Sequence, residues 1–243
     1  MSMDFTISLP EWAVVENEKL PEFVETLDER MRVVNEFARR NVEENTGGPF
    51  AAGVFERDTG RVVIVGVNRV EPMQCSSAHA EVVTLSLAQK KLGTWNLGEP
   101  GKPALQLVVN WLPCAMCLGA VLWSGVRSLA IAGLANDNRL EEITGFDEGP
   151  RVDMAKELAK RDVEFIDNGA PFILFFLHAS FADDRSRPCL LFSLLRTVLT
   201  SDALKTFYLF KEKGNVVYNA RGMGDNKCPE CPPPEAKKAK VSA

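Results

Sequence analysis

The chain has 243 residues, of which 46% are hydrophobic and 25% are charged. That composition is typical of a globular protein with one substantial core. Its first ten residues, MSMDFTISLP, lack the basic start and long apolar stretch of a secretory signal. The longest apolar run, residues 171–177, is far below the ~20 residues that a membrane-spanning helix needs. We therefore expect a cytoplasmic domain that does not contact membranes.

The charge balance argues against a polyanionic partner. The formal net charge is −5, and the only basic cluster is the AKKAK sequence near the C-terminus. Proteins that neutralise phosphates usually carry a basic patch or stripe, because counterion release drives their affinity. The sequence therefore favours a small, nearly neutral substrate over a nucleic acid.

Apolar periodicity and turn residues predict an alternation of helices and strands. Up to residue 132 we expect helix 21–42, strands 50–55 and 61–67, helix 78–92, strand 105–109, helix 113–123 and strand 129–132. Helix 154–160 and strand 163–166 follow, and Thr200 or Ser201 is expected to cap a last helix that ends at Gly214. This order predicts an α/β domain whose helices cover a central sheet.

Two short motifs fall at predicted helix starts. The first contains His79 and Glu81, and the second is Pro113-Cys114-Ala115-Met116-Cys117. Cysteines three apart share one helix face, and the helix N-terminus favours their thiolates. One imidazole and two thiolates make three protein ligands, which leave the fourth tetrahedral position for water, as in catalytic zinc sites. We therefore expect Zn²⁺ bound by His79, Cys114 and Cys117.

Glu81 is the candidate acid/base. Zinc lowers the pKa of a bound water toward neutrality, and a neighbouring carboxylate can take that proton and return it to a leaving amine. The H-x-E and P-C-x-x-C pair is a signature of zinc deaminases. The alternative is a closed structural zinc site with Cys75 or a tail cysteine as fourth ligand, or core cysteines that bind no metal. Neither alternative explains the glutamate or the proline.

The sequence resembles the guanine deaminase branch of the zinc-dependent cytidine deaminase superfamily, which includes guanine/aminotriazine deaminases. The resemblance rests on GGPFAAGVFERDTG, GVNRV, CSSAHAEVVTLSLAQ, PCAMCLGAVLWSGVRSL, GFDEGP and VVYNARG. It implies a three-layer α/β/α fold with a central mixed five-stranded sheet, and a homodimer. It also implies conversion of guanine to xanthine and ammonia, possibly extending to aminotriazines such as ammeline.

The resemblance also implies substrate-binding residues. Phe50 matches a phenylalanine that packs on the purine ring, and Asn68 matches an asparagine that binds the base. Glu148 matches a second carboxylate that holds the guanine amide edge and assists proton transfer, with Asp147 a weaker candidate. Tyr218 is a candidate lid residue. In the structural alternative, Phe50 is core, Asn68 and Glu148 are turn or cap residues, and Tyr218 ends a strand.

We expect residues 1–18 to be an N-terminal extension, 19–222 the catalytic domain and 223–243 a disordered tail that includes Cys228 and Cys231. Two departures from the family stand out. Leu112 replaces a glutamate that many relatives carry, and residues 170–197 look inserted. That stretch is interpreted as an extra helical hairpin, a lid over the pocket, or translated sequence absent from the working protein.

Three other functions remain open at this point. The chain could be another deaminase acting on cytosine, cytidine or a nucleotide. It could be a tRNA adenosine deaminase or a subunit of one, although RNA editing calls for a basic face. It could also be a catalytically silent, zinc-stabilised scaffold, against which Glu81 argues.

Overall fold

The structure is a computed structural model that describes residues 6–133, 139–146, 149–150, 152–167, 170–171 and 188–217. For residues 170–171 and 188–199 it describes the backbone alone. Within these ranges no helix combines the length and the apolar character that crossing a bilayer requires.

A mixed sheet forms the centre of the domain. Its strands are β1 (Ala51–Glu56), β2 (Val62–Val67), β3 (Leu105–Val109), β4 (Ser128–Ile131), β5 (Glu164–Asp167) and β6 (Ala170–Pro171). They lie in the order β2-β1-β3-β4-β5-β6. β1 is antiparallel to β2 and β3, β3 to β5 are mutually parallel, and β6 is antiparallel to β5. The five expected strands are all present, and the two-residue β6 extends the edge beside β5.

Helices cover both faces of the sheet. They are α1 (Glu11–Lys19), α2 (Leu27–Glu43), α3 (Ala80–Leu92), α4 (Ala115–Ser124), α5 (Arg139–Thr144), α6 (Met154–Ala159) and α7 (Pro188–Glu212). One buried apolar cluster joins α1, α2, α5 and α7 to the sheet, and the other joins α3, α4 and α6 to it. Side chains alternate along the strands, so Val54 faces the second cluster and Phe55 the first. The expected three-layer α/β/α architecture is confirmed.

The expected boundary at residue 19 is wrong, because α1 packs into the domain. Ala13 is fully buried, and the Trp12 ring lies 5.6 Å from the Phe37 ring of α2. Asn17 accepts a hydrogen bond from the Val65 N–H (2.8 Å) and donates one to the Val65 carbonyl (2.8 Å). The helix therefore lies against the β2 strand rather than outside the domain.

The expected start of α2 at residue 21 is also wrong. Thr26 and Glu29 form a capping box, which begins the helix at Leu27. The preceding residues are extended instead, and Phe23 forms an isolated β-bridge with Arg61. Local side-chain capping therefore overrides the apolar spacing that continues back to Phe23.

The last helix, α7, starts at Pro188, which is twelve residues before the expected cap at Thr200. Proline suits the first turn of a helix, where its missing N–H has no partner to lose. Thr200 lies inside α7, and its hydroxyl donates to the Ala132 carbonyl (2.6 Å) instead of capping the helix. The second part of the 170–197 stretch is thus continuous with the last helix. Most of the remainder, residues 172–187, lies outside the described residues.

Candidate active site

The three expected metal ligands converge at the starts of two helices. His79 is the N-cap residue of α3, Cys114 is the N-cap residue of α4, and neither side chain caps its own helix. Both helices pack on one face of the sheet. The ligand atoms of His79, Cys114 and Cys117 all lie within 4.8 Å of one another. The convergence expected from the sequence is therefore present in the structure.

The two thiols share a hydrogen bond that polarises the pair. The Cys117 thiol donates to Cys114, and this hydrogen bond together with the His79 imidazole lowers the pKa of Cys114 to about 4. The same hydrogen bond, together with burial, raises the pKa of Cys117. The Cys114 sulfur also lies 3.7 Å from Nδ1 of His79. Metal binding must displace the proton that the pair retains, so affinity for the ion depends on pH.

The donor set fits zinc. One imidazole nitrogen and two sulfurs within a single small cluster are donors that zinc prefers over magnesium or calcium. Cys75, the alternative fourth ligand, is not in the cluster, and its thiol lies 3.2 Å from the Ser77 hydroxyl. Three ligands from the described residues leave one tetrahedral position for water or substrate, which is the arrangement of a catalytic site.

Glu81 lies beside this cluster. Its residue is only 6% exposed, and burial raises the pKa of its carboxyl group. The His79 imidazole acts in the opposite direction to burial, and so, more weakly, does the contact with Cys117. A carboxyl group that must both accept and return a proton works best when its pKa is close to the working pH. The environment of Glu81 therefore suits an acid/base.

Phe50 lies in a cluster of aromatic side chains whose other members belong to the apolar cluster on the α2 and α7 face of the sheet. Its ring centroid is 5.3 Å from that of Phe146 and 5.7 Å from that of Phe207. Phe207 in turn contacts Trp111 edge-on at 5.1 Å. We call Phe50, Trp111, Phe146, Phe207 and Phe210 the aromatic cluster. Phe50 is only partly buried, so it packs on the core while part of it stays accessible.

Asn68 is 1% exposed, and its backbone N–H donates to the Phe50 carbonyl (2.9 Å). Its Oδ1 atom accepts from the N–H groups of Gly48 (3.4 Å) and Val70 (3.2 Å). Its Nδ2 atom is buried and has no hydrogen-bond partner among the described residues. A buried donor without a partner costs free energy unless a ligand satisfies it. That observation fits a residue that binds a substrate acceptor.

Two buried asparagines that the sequence analysis did not single out hold these loops. Asn41 of α2 is fully buried, and its Nδ2 atom donates to the carbonyls of Gly48 (2.8 Å) and Asn68 (3.0 Å). Gly47 lies so close that an added Cβ would approach the Asn68 carbonyl oxygen to 2.0 Å. Asn110 binds the chain on either side of Phe50. The sequence signal for Asn41 was a polar residue on the apolar face of a helix. The signal for Asn110 was a polar residue at the end of a buried strand.

Three of the candidate substrate residues cannot be placed. Asp147, Glu148 and Tyr218 lie outside the described residues. The neighbouring Phe146 is buried in the aromatic cluster beside Phe50.

Leu112, which replaces the glutamate that many relatives carry, packs against both apolar clusters and is partly buried.

The family model for the cytidine and deoxycytidylate deaminase zinc-binding region matches residues 24–132, which include the three ligands and Glu81. A solved structure of NE0047 in complex with 2,6-diaminopurine is 38% identical, covers 89% of this chain and 97% of its own, and has a TM-score of 0.69. The solved guanine deaminase from Nitrosomonas europaea is 38% identical, covers 85% of this chain and 98% of its own, and has a TM-score of 0.67. Guanine deaminase from Bacillus subtilis (strain 168) is 34% identical over 100 residues, which are 41% of this chain and 60% of that protein. The chain thus matches less than two thirds of the length of that curated relative.

A three-layer α/β/α domain with one imidazole, two thiols and a buried glutamate at the starts of two helices defines a zinc-dependent aminohydrolase. The chain belongs to the cytidine and deoxycytidylate deaminase family, and its similarity over most of its length is to guanine deaminases. The expected zinc cofactor is confirmed by that membership together with the ligand cluster.

Proposed function

We propose that this chain hydrolyses the exocyclic amino group of guanine and releases xanthine and ammonia. The observation that carries this proposal is the buried Glu81 beside the His79, Cys114 and Cys117 cluster, in a chain that matches guanine deaminase over most of its length. That extent of similarity favours guanine over cytosine, a nucleotide or a tRNA adenosine as substrate. The presence of Glu81, the candidate acid/base, argues against a catalytically silent scaffold.

Each residue contributes a separate part of the reaction. Zinc held by His79, Cys114 and Cys117 would supply a water of lowered pKa. Glu81 takes one proton from the attacking water and gives it to the ring nitrogen next to C2. It then takes the second proton from the hydroxyl group formed on C2 and passes it to the departing amine. The C–N bond breaks as ammonia leaves, and the oxygen of the water remains on C2. The net reaction is guanine plus water to xanthine plus ammonia.

Base recognition is assigned to residues on the other side of the site. The Phe50 ring stacks on the flat face of the purine, and Asn68 Nδ2 donates to an acceptor on its edge, which satisfies its buried amide. Glu148 holds the amide edge of guanine and assists proton transfer. Asp147 and Tyr218 complete the contacts, with Tyr218 on the closing segment. Aminotriazines such as ammeline carry the same amidine pattern and are candidate alternative substrates.

We also propose that the protein is a cytoplasmic homodimer. One face of α4 carries exposed Met116 and Trp123, seven residues apart, with Gly119 and Ala120 between them. α4 has no charged residue, so a second copy can pack its own α4 face there without burying a charge. The thiols of Cys75, Cys114 and Cys117 are unpaired, as is usual for proteins of a reducing compartment.

The substrate test is ammonia release by the purified zinc-loaded protein from guanine, ammeline, adenine, cytosine, cytidine and guanosine. We expect release from guanine that disappears in Glu81→Ala. Release from another compound of the panel, with none from guanine, would contradict the proposed substrate. For the dimer, Trp123→Glu should shift the mass measured by light scattering to that of a monomer. Val15→Glu, an exposed apolar residue of α1, should leave the mass unchanged.

A further inference from the structure

One buried side chain holds the backbone on both sides of Phe50. Oδ1 of Asn110 accepts a hydrogen bond from the Ala51 N–H (2.9 Å), and its Nδ2 donates to the Pro49 carbonyl (3.0 Å). The Asn110 N–H also donates to the Ala51 carbonyl (3.3 Å). Asn110 is fully buried, so these bonds are shielded from water. The peptide groups that flank Phe50 thus share a single polar partner.

Asn110 also lies on the segment that leads to the metal ligands. It directly follows β3, and four residues later Cys114 begins α4. Its side chain therefore joins the loop that carries Phe50 to the segment that leads into α4 and its two cysteine ligands. The β1–β3 ladder begins at Ala52, and the Phe50 ring contacts Phe146 and Phe207, so the Asn110 side chain adds the polar contacts directly beside Phe50.

We propose that Asn110 is a positioning residue for substrate binding: it fixes the Phe50 ring relative to the metal site so that a planar base can stack on the ring with its reacting carbon at the metal. The inference rests on the proposed role of Phe50. Stacking weakens when the ring shifts or tilts, and displacement of a positioning group by about 1 Å can cost a large factor in rate. Loss of Asn110 should therefore act through Phe50, not through the ligands.

A merely structural role makes a different prediction, and Asn17 provides the matched control. Asn17 makes the same kind of two-way contact, accepting from the Val65 N–H and donating to the Val65 carbonyl. It lines a surface cavity with Leu87 and Lys91, at the end of α3 opposite His79. If asparagines that bridge backbone groups only satisfy those groups, substitution at the buried Asn110 or the partly buried Asn17 will lower stability and leave base binding unchanged.

The test is a double-mutant cycle on binding. In zinc-loaded Glu81→Gln protein, where turnover is expected to be about a thousandfold slower, the Kd for 8-azaguanine is measured by calorimetry. The variants added to it are Phe50→Ala, Asn110→Leu, both together, or Asn17→Leu. We expect Phe50→Ala and Asn110→Leu each to weaken binding about tenfold, and the pair to weaken it no more than Phe50→Ala alone. Zinc content should stay constant in all variants, and Asn17→Leu should change the Kd less than about twofold.

Other results would overturn the inference. Additive effects of Phe50→Ala and Asn110→Leu, an unchanged Kd in Asn110→Leu, or equal weakening by Asn17→Leu would each show that Asn110 does not act through Phe50. If Asn110→Leu fails to fold, Asn110→Ser retains one hydroxyl that cannot reach both Pro49 and Ala51, and the same cycle applies. If the reference protein binds no 8-azaguanine, or if Phe50→Ala has no effect, the proposed base-binding role of Phe50 is wrong and the role of Asn110 falls with it. If Phe50→Ala weakens binding and Asn110→Leu does not, only the role of Asn110 is wrong.

Discussion

The two sides of the site are built in different ways. The ligand side draws on two short motifs, at the starts of α3 and α4, that lie in a single helical layer. The base side begins with Phe50 and Asn68, which flank the open end of the antiparallel β1–β2 hairpin, and it is backed by Phe207 from the opposite layer. The first side depends on local spacing, whereas the second depends on packing between segments far apart in sequence.

This difference indicates how each side should respond to substitution. A ligand or acid/base residue acts directly on the reaction, so its loss should lower turnover steeply without a large change in base affinity. A residue of the base side acts by orientation, so its loss should raise KM and leave zinc in place. The predictions below are ordered by the size of the effect.

Removal of the metal should have the largest effect. Cys117→Ser, or dialysis of the natural chain against a chelator, should abolish ammonia release and lower the midpoint of thermal unfolding, because bound zinc stabilises the folded state. Zinc content by atomic absorption and the melting curve provide the measurement. Cys75→Ser is the control, since Cys75 lies outside the ligand cluster. A Cys117→Ser protein with full zinc and full activity would contradict the assignment.

Replacement of the acid/base should have the next largest effect. Glu81→Gln keeps the size of the side chain but cannot accept the proton, so kcat should fall by about a thousandfold. Zinc content and the Kd for 8-azaguanine should remain close to those of the natural chain. Steady-state kinetics alongside metal analysis separate these quantities. Full turnover in Glu81→Gln would exclude Glu81 as the proton carrier.

A smaller effect is expected at the base side. Asn68→Asp keeps an acceptor for the Gly48 and Val70 N–H groups but removes the buried Nδ2 donor. We expect KM for guanine to rise about tenfold, which corresponds to the free energy of about one hydrogen bond. Zinc content should not change. The ratio of KM values for guanine measured on the two proteins is the readout. An unchanged KM would mean that Asn68 only stabilises the loops that contain Gly48 and Val70 and does not bind the base.

The smallest effect is expected far from both sides. Lys213 follows α7 and donates to the Val42 (2.9 Å) and Glu43 (2.7 Å) carbonyls at the end of α2. Lys213→Met should lower the free energy of unfolding by about 0.5–1 kcal/mol, because a cation at a helix C-terminus is lost. Kinetic constants should not change. Lys205→Met, which removes only the exposed ion pair with Asp202, should cost less, and urea unfolding compares the two.

The metal ligands could be predicted from the sequence, and the acid/base role of Glu81 stays a prediction. His79 and Glu81 lie at the start of α3 and the two cysteines at the start of α4, so helix geometry places the donors of each motif at the start of its own helix. The strand and helix order gave the layered fold for a similar reason, because alternating elements have few ways to bury their apolar faces. The roles assigned to Phe50 and Asn68 stay predictions, although the unpartnered amide of Asn68 supports one of them.

The placement of α1 and the contacts of Asn110 could not be predicted from the sequence, because they depend on contacts between distant segments. α1 has only a weak apolar stripe, and its place becomes visible once Trp12 meets Phe37 and Asn17 meets Val65. Asn110 looks like any strand-end residue until its side chain is seen to hold the backbone around Phe50. Local sequence marks Asn110 as a polar residue at the end of a buried strand but does not indicate a hydrogen-bond partner about sixty residues away.

The most direct test of the central claim, hydrolytic deamination of guanine at this site, is the reaction run in water enriched with oxygen-18. The zinc-loaded protein is incubated with guanine, and the purine product is analysed by chromatography and mass spectrometry. We expect xanthine that carries a single labelled oxygen at C2, formed in equal amount to ammonia, and about a thousandfold slower formation with Glu81→Gln protein. Unchanged guanine, or a product without the label, would contradict the claim.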